Sequence, residues 1–198
     1  MSQRSDARRN RARILAAAEE IFAAESVTVP LQHVAEKAQV GRGTLYRHFP
    51  DRHSLVAAVF EERLAVLEKL VADRRDDPDM LVVLLREITA EQARTPGLFR
   101  LVFSEGPGHA QLEPLWRRSV DLLAGPLEWS RAAGVVRADL TMDDLLTVIS
   151  MVYGVVNGPV GSVGPVGSSG SSRPVGRADV AAVTRAMELI VDGLLPRS

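Results

Sequence analysis

One short stretch, residues 40–52, is dense in side chains that hydrogen-bond to DNA. Within it Leu45 and Phe49 are four residues apart, so they fall on the same side of a helix and can anchor it to a core. The opposite side then carries donors suited to phosphate oxygens and base edges, namely Arg42, Thr44, Tyr46, Arg47 and His48. Gly43 leaves room for the helix backbone to approach a groove. The stretch therefore predicts a helix that reads double-stranded DNA.

Two other interpretations of the reactive residues have less support. Tyr46 or His48 alone is typical of the ordinary surface of a small helical bundle, but the five donors together favour DNA binding. Ser104 and His109 share a predicted loop, yet the chain has no Gly-x-Ser-x-Gly motif and no complete dinucleotide-binding fingerprint. We therefore expect a protein that is not an enzyme and uses no cofactor.

The total charge does not mark the chain as a nucleic-acid binder, because 24 basic residues face 25 acidic ones and the net charge is −1. The distribution is uneven, since residues 1–13 hold five arginines and one aspartate ahead of a mildly acidic body. Individually, such arginines are typical of a solvated tail. At 198 residues and 46% hydrophobic composition, the chain can bury a core as one domain or two small ones.

Several absences limit the chemistry and the location. The chain has no cysteine, which excludes disulfides and thiolate metal sites and fits a reducing cytoplasm. His33 and Glu36 supply only two potential metal ligands, so a solvated helix face is expected there and no metal site. The longest uncharged stretch is strongly apolar only over 145–156, which is too short to span a membrane. We expect a cytoplasmic protein without a membrane partner.

The spacing of apolar residues is helical almost throughout and nowhere alternates as in a strand, so we expect an all-α fold. Spacing, prolines and capping residues predict helices at about 8–24, 30–38, 42–48, 52–73, from 78, 96–103, 110–133, from 141 and 178–195. Phe49-Pro50 ends the third helix and Asp51 caps the fourth. Before the last helix, glycine recurs every third residue, which predicts a flexible loop rather than a collagen helix.

Two short helices joined by a turn, after a longer helix, meet the description of a helix-turn-helix DNA reader. The sequence Gly43-Thr44-Leu45-Tyr46-Arg47-His48-Phe49, with Phe22, Val34-Ala35, Ala38 and Leu55 around it, resembles the amino-terminal domain of TetR-family transcriptional regulators. The resemblance covers about residues 10–60. It implies a homodimer whose third helices enter successive major grooves of a palindromic operator, usually as a repressor that a small-molecule effector releases.

The resemblance also implies a role for each matching residue. Those that would face bases are Arg42, Gly43 and Arg47, and those that would hold phosphates are Thr44, Tyr46, His48 and Arg52. It adds a second interpretation of the arginine arm, which is contact with the minor groove or with phosphates rather than only solvation.

Two positions depart from the family pattern. Gln39 stands where the family usually has glycine in the turn, and it would be strained in a left-handed conformation. Pro30 stands where the second helix usually begins with a phosphate-binding threonine, and it cannot donate. Thr28 is the candidate to make that phosphate contact instead.

The predicted organisation is a three-helix DNA-binding domain at 8–68 followed by a six-helix domain at 69–198 for effector binding and dimerisation. Effector pockets are mostly apolar, so the candidates, each of which could also be a core residue, are Phe99, Phe103, Trp116, Trp129, Met151 and Tyr153. Apolar stripes on the last two helices predict a four-helix interface between two copies, formed by Leu145, Ile149, Val152, Val183, Met187 and Ile190. The alternative function is a helical dimeric interaction protein without sequence-specific DNA binding.

Overall fold

The computed structural model of the chain describes residues 2–25, 27–157, 185, 188–189 and 192–194. All regular structure in these residues is helical, which confirms the all-α prediction. The elements are α1 (Ser2–Ala24), α2 (Leu31–Lys37), α3 (Arg42–His48), α4 (Arg52–Asp73), α5 (Met80–Arg94), α6 (Pro96–Arg100), a π-helical turn (Leu101–Glu105), α7 (Glu113–Ala132) and α8 (Met142–Asn157). No helix in the described part of the chain is long and apolar enough to cross a membrane. The glycine-rich loop and most of the predicted helix at 178–195 lie outside the described residues.

The chain divides by its internal contacts into two units. The first comprises the residues up to Leu70 together with Gly97–Asp121, and the second comprises Val71–Pro96 together with the residues from Leu122 onward. The first unit is therefore discontinuous in sequence, because it contains α6, the π-helical turn and the start of α7. The functional boundary between 68 and 69 stays a prediction.

The core of the first unit forms where α1, α2 and α3 meet. Apolar side chains recur on α1 at helical spacing and form one buried face, as the sequence pattern predicts. The buried residues of this core include Ile14, Ala18, Ile21 and Phe22 of α1, Val34 and Ala35 of α2, and Leu45 of α3. Burying these side chains gives α2 and α3, each of only seven residues, the tertiary support that such short helices need.

Segment 97–121 completes the first unit through α4. The Phe60 ring meets the Phe99 ring edge to face at 5.4 Å, an arrangement that aromatic pairs prefer. Arg118 of α7 forms a bidentate ion pair with Glu68, at 3.0 and 2.9 Å, and a longer contact of 3.4 Å with Glu61. Both acidic residues lie on α4, and Glu68 is the larger cause of the raised pKa of Arg118. These contacts hold the start of α7 against α4.

The second unit is organised by the packing of α8 against α5. The buried face of α5 carries Leu81, Leu84, Leu85 and Ile88, and the buried face of α8 carries Leu145, Ile149 and Val152. Gln92 Nε2 of α5 donates to the backbone carbonyl of Ile149 at 3.3 Å. The predicted cap of α8 is confirmed, because the Asp144 amide donates to Thr141 Oγ1 at 3.2 Å and the Asp144 carboxylate accepts from the Thr141 amide at 2.8 Å.

Several predicted boundaries differ from the structure, among them the starts of α5 at Met80 and of α7 at Glu113, which were expected at about 78 and 110. Helix α1 begins at Ser2 rather than near residue 8, so the arginine arm is part of a helix from its start. Helix α2 begins at Leu31, and Pro30 precedes it as the cap residue instead of occupying the first helical position. The predicted helix at 96–103 stops at Arg100, where the backbone widens into the π-helical turn.

Candidate nucleic-acid interface

Backbone geometry fixes both ends of α3. The carbonyl of Gly41 accepts from the amides of Thr44 and Leu45, at 2.9 and 3.1 Å, which starts the helix. Phe49 closes it, because its amide donates to the Leu45 carbonyl at 2.8 Å while its own backbone is extended ahead of Pro50. The predicted bounds 42–48 are confirmed.

The sides of α3 are sharply different in burial. Leu45 and the following Phe49 are buried, at 0% and 2% exposure. Tyr46 is 50% exposed, which is unusual for so large an apolar ring. The structure brings the five predicted donors together on this helix, with Arg42, Tyr46 and Arg47 exposed and Thr44 and His48 half-buried. The arrangement offers guanidinium, hydroxyl and imidazole donors to one neighbouring surface.

Arg47 folds back onto its own helix. Its Nε donates to the Gly43 carbonyl at 3.0 Å, and its Nη2 donates to Thr44 Oγ1 at 3.2 Å. Both bonds are exposed to solvent, so exchanging them for a base or a phosphate costs little net hydrogen-bond energy. Arg47 is thus held over α3 without being buried by it.

Gly43 has no structural reason within the chain to be glycine. A Cβ built there would meet no atom within 4 Å, and its backbone is helical, so no left-handed conformation requires glycine. Glycine inside a helix destabilises it by roughly 0.5–1 kcal/mol relative to alanine. The missing side chain leaves an open space on the exposed part of α3, where another molecule can approach the backbone.

Arg52, predicted to hold a phosphate, already has acceptors inside the chain. Its Nη1 donates to the carbonyls of Val27 and Val29 in the segment between α1 and α2, with the second bond at 2.6 Å. The side chain is half-buried at the start of α4. Thr28, the other predicted phosphate contact in this region, lies between the two carbonyls and is exposed. Arg52 therefore ties down the segment that carries Thr28.

The turn before α3 ends α2 with a left-handed residue. Gln39 has φ of +53°, its amide donates to the Glu36 carbonyl at 3.0 Å, and the Val40 amide donates to the Ala35 carbonyl at 3.0 Å. These two bonds form a Schellman motif, which normally places glycine at the left-handed position. For a residue with a Cβ, this backbone costs roughly 1–2 kcal/mol. The strain anticipated from the departure at Gln39 is therefore present.

Asp51 caps α4, as predicted, and also binds a segment that the sequence did not connect with it. The Ser54 amide donates to Asp51 Oδ1 at 2.7 Å, and this bond is the largest cause of the lowered pKa of Asp51. Gln111 Nε2 donates to Asp51 Oδ2 at 3.2 Å. Next to it, His53 lies 3.2 Å from a carboxylate oxygen of Glu105. The start of α4 is thus held by side chains more than fifty residues later in the chain.

The six predicted pocket residues fall into different units of the structure. Phe99, Phe103 and Trp116 belong to the first unit, where the rings of Phe99 and Phe103 stack at 5.9 Å. Trp129, Met151 and Tyr153 belong to the second unit. A shallow depression on α8 of about 550 Å³ includes Met151 but none of the other five. The assignment of these residues to an effector pocket stays a prediction.

The predicted dimer residues on α8 are occupied within the chain. Leu145, Ile149 and Val152 are 0%, 4% and 1% exposed, on a helix that packs against α5. This differs from the expectation that they contact a partner subunit, since a side chain already buried has no area left to bury. Among the α8 side chains whose burial is described, Met151 is a large apolar one that is exposed, at 58%. The other three predicted residues, Val183, Met187 and Ile190, lie outside the described residues.

In the described part of the chain, no three His, Cys, Asp or Glu side chains lie close enough together to hold a metal ion. Ser104 and His109, considered from the sequence as possible catalytic residues, both lie near the carboxyl end of the π-helical turn. The His109 ring stacks on His53 at 4.3 Å. Its position is explained by this packing at the start of α4.

The amino-terminal part of the chain is similar to known DNA-binding regulators. Residues 14–59 match the family described as bacterial regulatory proteins, tetR family. An HTH-type transcriptional regulator of Staphylococcus aureus (strain USA300) is 35% identical over 75 residues, which is 37% of this chain and 40% of that protein. The chain thus matches less than half the length of this curated relative.

Two solved structures are similar over nearly the whole chain. The TetR transcription regulatory protein from Mycobacterium vanbaalenii is 29% identical, with a TM-score of 0.60 over 98% of this chain and 99% of that one. A TetR transcriptional regulator from Streptomyces coelicolor is 24% identical, with a TM-score of 0.62 over 95% of this chain and 99% of that one, and shows likeness of fold alone. The similarity in fold therefore extends well beyond α1–α4.

Proposed function

Because the chain belongs to the TetR family of bacterial regulatory proteins, we propose that it is a sequence-specific, DNA-binding transcriptional repressor. In this proposal it acts in the cytoplasm as a homodimer on a palindromic operator, and a small-molecule effector releases it. Residues 8–68 bind the operator, and residues 69–198 bind the effector and the second subunit. No catalytic step is assigned to the chain.

The observation that carries the DNA-binding part is the exposed side of α3. A half-exposed tyrosine, two exposed arginines and a glycine without a packing role lie together on a helix of only seven residues. An aromatic hydroxyl and guanidinium groups are donors that protein–DNA interfaces use for phosphates and base edges. The open space at Gly43 suits the close approach of a groove wall.

The homodimer is supported by apolar surface left open near the carboxyl end. Met151 of α8 and Leu189 are 58% and 56% exposed, which is high for side chains of this size. Two-fold pairing of subunits would match two-fold operators, because the symmetry of such sites mirrors that of the protein. Met151, rather than Leu145, Ile149 and Val152, is the α8 side of the proposed interface.

Selection of binding sites from a random DNA duplex pool, followed by affinity measurements across a salt series, tests the proposal. We expect a two-fold palindrome whose affinity falls steeply with salt, because phosphate contacts release counterions. Arg42→Ala should relax base preference at one position of each half-site, at a cost of about 1–3 kcal/mol. The matched control is Arg86→Ala, which removes an exposed arginine from α5 and should leave the selected sequence unchanged. Recovery of no preferred sequence by the effector-free protein would refute the proposal in favour of an interaction protein.

Gly43→Ala gives a second test with opposite signs for stability and binding. The free protein should become more stable by roughly 0.5–1 kcal/mol, since the added Cβ meets no atom of the chain and alanine favours the helix. Operator affinity should fall, because the Cβ fills the space that a groove wall needs. Urea unfolding and DNA titration measure the two effects. A variant that is more stable and binds the operator at full affinity would show that α3 does not approach DNA at Gly43.

A further inference from the structure

The turn before α3 has a glutamine, Gln39, at a left-handed position where glycine is usual. The Schellman bonds that end α2 are made by backbone atoms, so they would form equally well with glycine. Glycine would also avoid the steric penalty at a φ of +53°. The side chain of Gln39 must therefore contribute something that the backbone alone cannot.

That contribution is a second acceptor for one arginine of α1. Arg13 Nη2 donates to the Gln39 carbonyl at 3.1 Å and to Gln39 Oε1 at 3.2 Å. With glycine at position 39, only the carbonyl would remain. Arg13 also brings a positive charge to the carboxyl end of α2, where the helix dipole favours cations. One guanidinium thus holds both the backbone and the side chain of the turn residue, across 26 positions of sequence.

The other end of α3 is also held by an arginine of α1. The Arg11 guanidinium lies 5.3 Å from the centroid of the Phe49 ring, within the range of a cation–π contact. Phe49 is the residue that closes α3. Helix α3 is therefore attached to α1 at both ends. Gln39 makes the attachment just before the first turn of α3, and Phe49 makes it just after the last turn. A seven-residue helix has little stability of its own, so its direction depends on these attachments.

We propose that Arg13 and Gln39 form a positioning pair that sets the orientation of α3, and that Arg13 acts through this contact rather than as a phosphate ligand. This role of Arg13 differs from both interpretations of the arginine arm, which are solvation and contact with DNA. The proposal rests on the proposed DNA-binding function for its consequence in operator recognition, but the positioning itself can be measured without DNA.

The first experiment measures amide hydrogen exchange in the DNA-free full-length protein. The variants are Arg13→Ala, Gln39→Ala and the double variant, and the probes are the amides of Val40 and Leu45, bonded to the carbonyls of Ala35 and Gly41. We expect exchange about five- to tenfold faster in Arg13→Ala, which breaks both hydrogen bonds, and a smaller increase in Gln39→Ala, which keeps the bond to the carbonyl. The double variant should exchange no faster than Arg13→Ala, because that substitution already removes the whole contact. Arg9→Ala is the matched control, since it removes an exposed arginine of α1 whose partner is Asp6.

The second experiment titrates the same variants with the selected operator and with random duplex. A positioning pair predicts a loss of operator affinity of about fivefold in Arg13→Ala and a smaller loss in Gln39→Ala, with random-DNA affinity and the salt slope unchanged in both. Gln39→Ala distinguishes positioning from phosphate binding, because it weakens the contact with Arg13 without removing a charge. Gln39→Gly, which relieves the left-handed strain while removing the same side chain, replaces it if Gln39→Ala fails to fold.

The outcomes separate the two proposals. Unchanged exchange at Val40 and Leu45 in Arg13→Ala overturns the positioning pair, whatever the DNA results. A loss on both operator and random DNA in Arg13→Ala, with a salt slope smaller by about one phosphate contact and no effect of Gln39→Ala, also overturns it and makes Arg13 a phosphate ligand. Faster exchange in both single variants, together with a wild-type protein that selects no sequence, supports the positioning pair and refutes the proposed function alone.

Discussion

Replacing Arg52 separates a structural role from a DNA-binding role at the start of α4. The guanidinium donates to the carbonyls of Val27 and Val29, and Val27 is itself buried at 1% exposure. A hydrogen bond from a charged donor contributes about 1.5–3 kcal/mol when buried. Because Arg52 is half-buried, water can replace part of each bond, so we expect Arg52→Ala to lower the free energy of unfolding by about 2 kcal/mol in total.

Fluorescence can report this loss for the first unit specifically. Trp116 lies in the first unit and Trp129 in the second, so a Trp129→Phe background leaves one reporter in the unit that contains Arg52. Urea unfolding in that background should show a lower midpoint for Arg52→Ala and only partial recovery for Arg52→Lys, because an ammonium cannot reproduce the planar geometry of a guanidinium. The control is Arg42→Ala, whose exposed side chain should change stability by less than about 0.5 kcal/mol.

The result that would refute this reasoning is a normal unfolding midpoint for Arg52→Ala with operator binding lost. The two carbonyl bonds would then contribute nothing measurable, and Arg52 would act as the phosphate contact that the family resemblance implies. A lowered midpoint with operator affinity and salt slope unchanged would assign the residue entirely to the fold.

Three further predictions concern other parts of the molecule. Gly106→Ala should destabilise the protein by about 2 kcal/mol or more in urea unfolding, because its Cβ would lie 2.0 Å from a backbone oxygen, whereas Gly41→Ala has open space and no such clash. Asp51→Asn should cost stability at pH 7, and the cost should shrink as the pH falls below about 4, because the lowered pKa of Asp51 gives a contribution that is fully present above the unfolded-state pKa and is lost as the pH falls through the folded-state pKa. Urea unfolding across an acidic pH series would refute this if the difference between variant and wild type did not shrink. Met151→Glu should yield monomers in sedimentation with a normal monomer stability, while Ile149→Ala should lower stability by about 2–4 kcal/mol without first dissociating the dimer, and the reverse pattern would return the buried side of α8 to the interface.

The sequence predicted most accurately the elements that have local start and stop signals. The bounds of α3 follow from Phe49-Pro50, where the residue before proline is extended, and the start of α4 follows from the cap at Asp51. The true start of α1 carried no such signal. Its first turns carry no apolar side chain larger than alanine, and apolar spacing begins only at Ile14. The apolar pattern therefore indicates a start that is later than the true one.

The sequence could not predict which element each helix face packs against. The stripe at Leu145 and Ile149 correctly indicated a buried side of α8, but an apolar stripe packs equally well on α5 of the same chain or on a second subunit. The same limit hid the contact of Gln111 with Asp51 and the two acceptors of Arg52, because hydrogen bonds between distant segments leave no periodic pattern. The donor types on α3 indicated DNA binding by themselves, whereas only the family resemblance divided them between bases and phosphates.

The discontinuity of the first unit has a consequence for synthesis on the ribosome. The residues up to Leu70 emerge first. Phe60 can pack on Phe99, and Glu68 can pair with Arg118, only after the segment that ends at Asp121 has been synthesised. At the usual elongation rate of about 5–20 residues per second, that interval lasts roughly 3–10 seconds. During this interval Phe60 of α4 lacks the Phe99 ring on which it packs, so apolar surface is exposed that chaperones can bind.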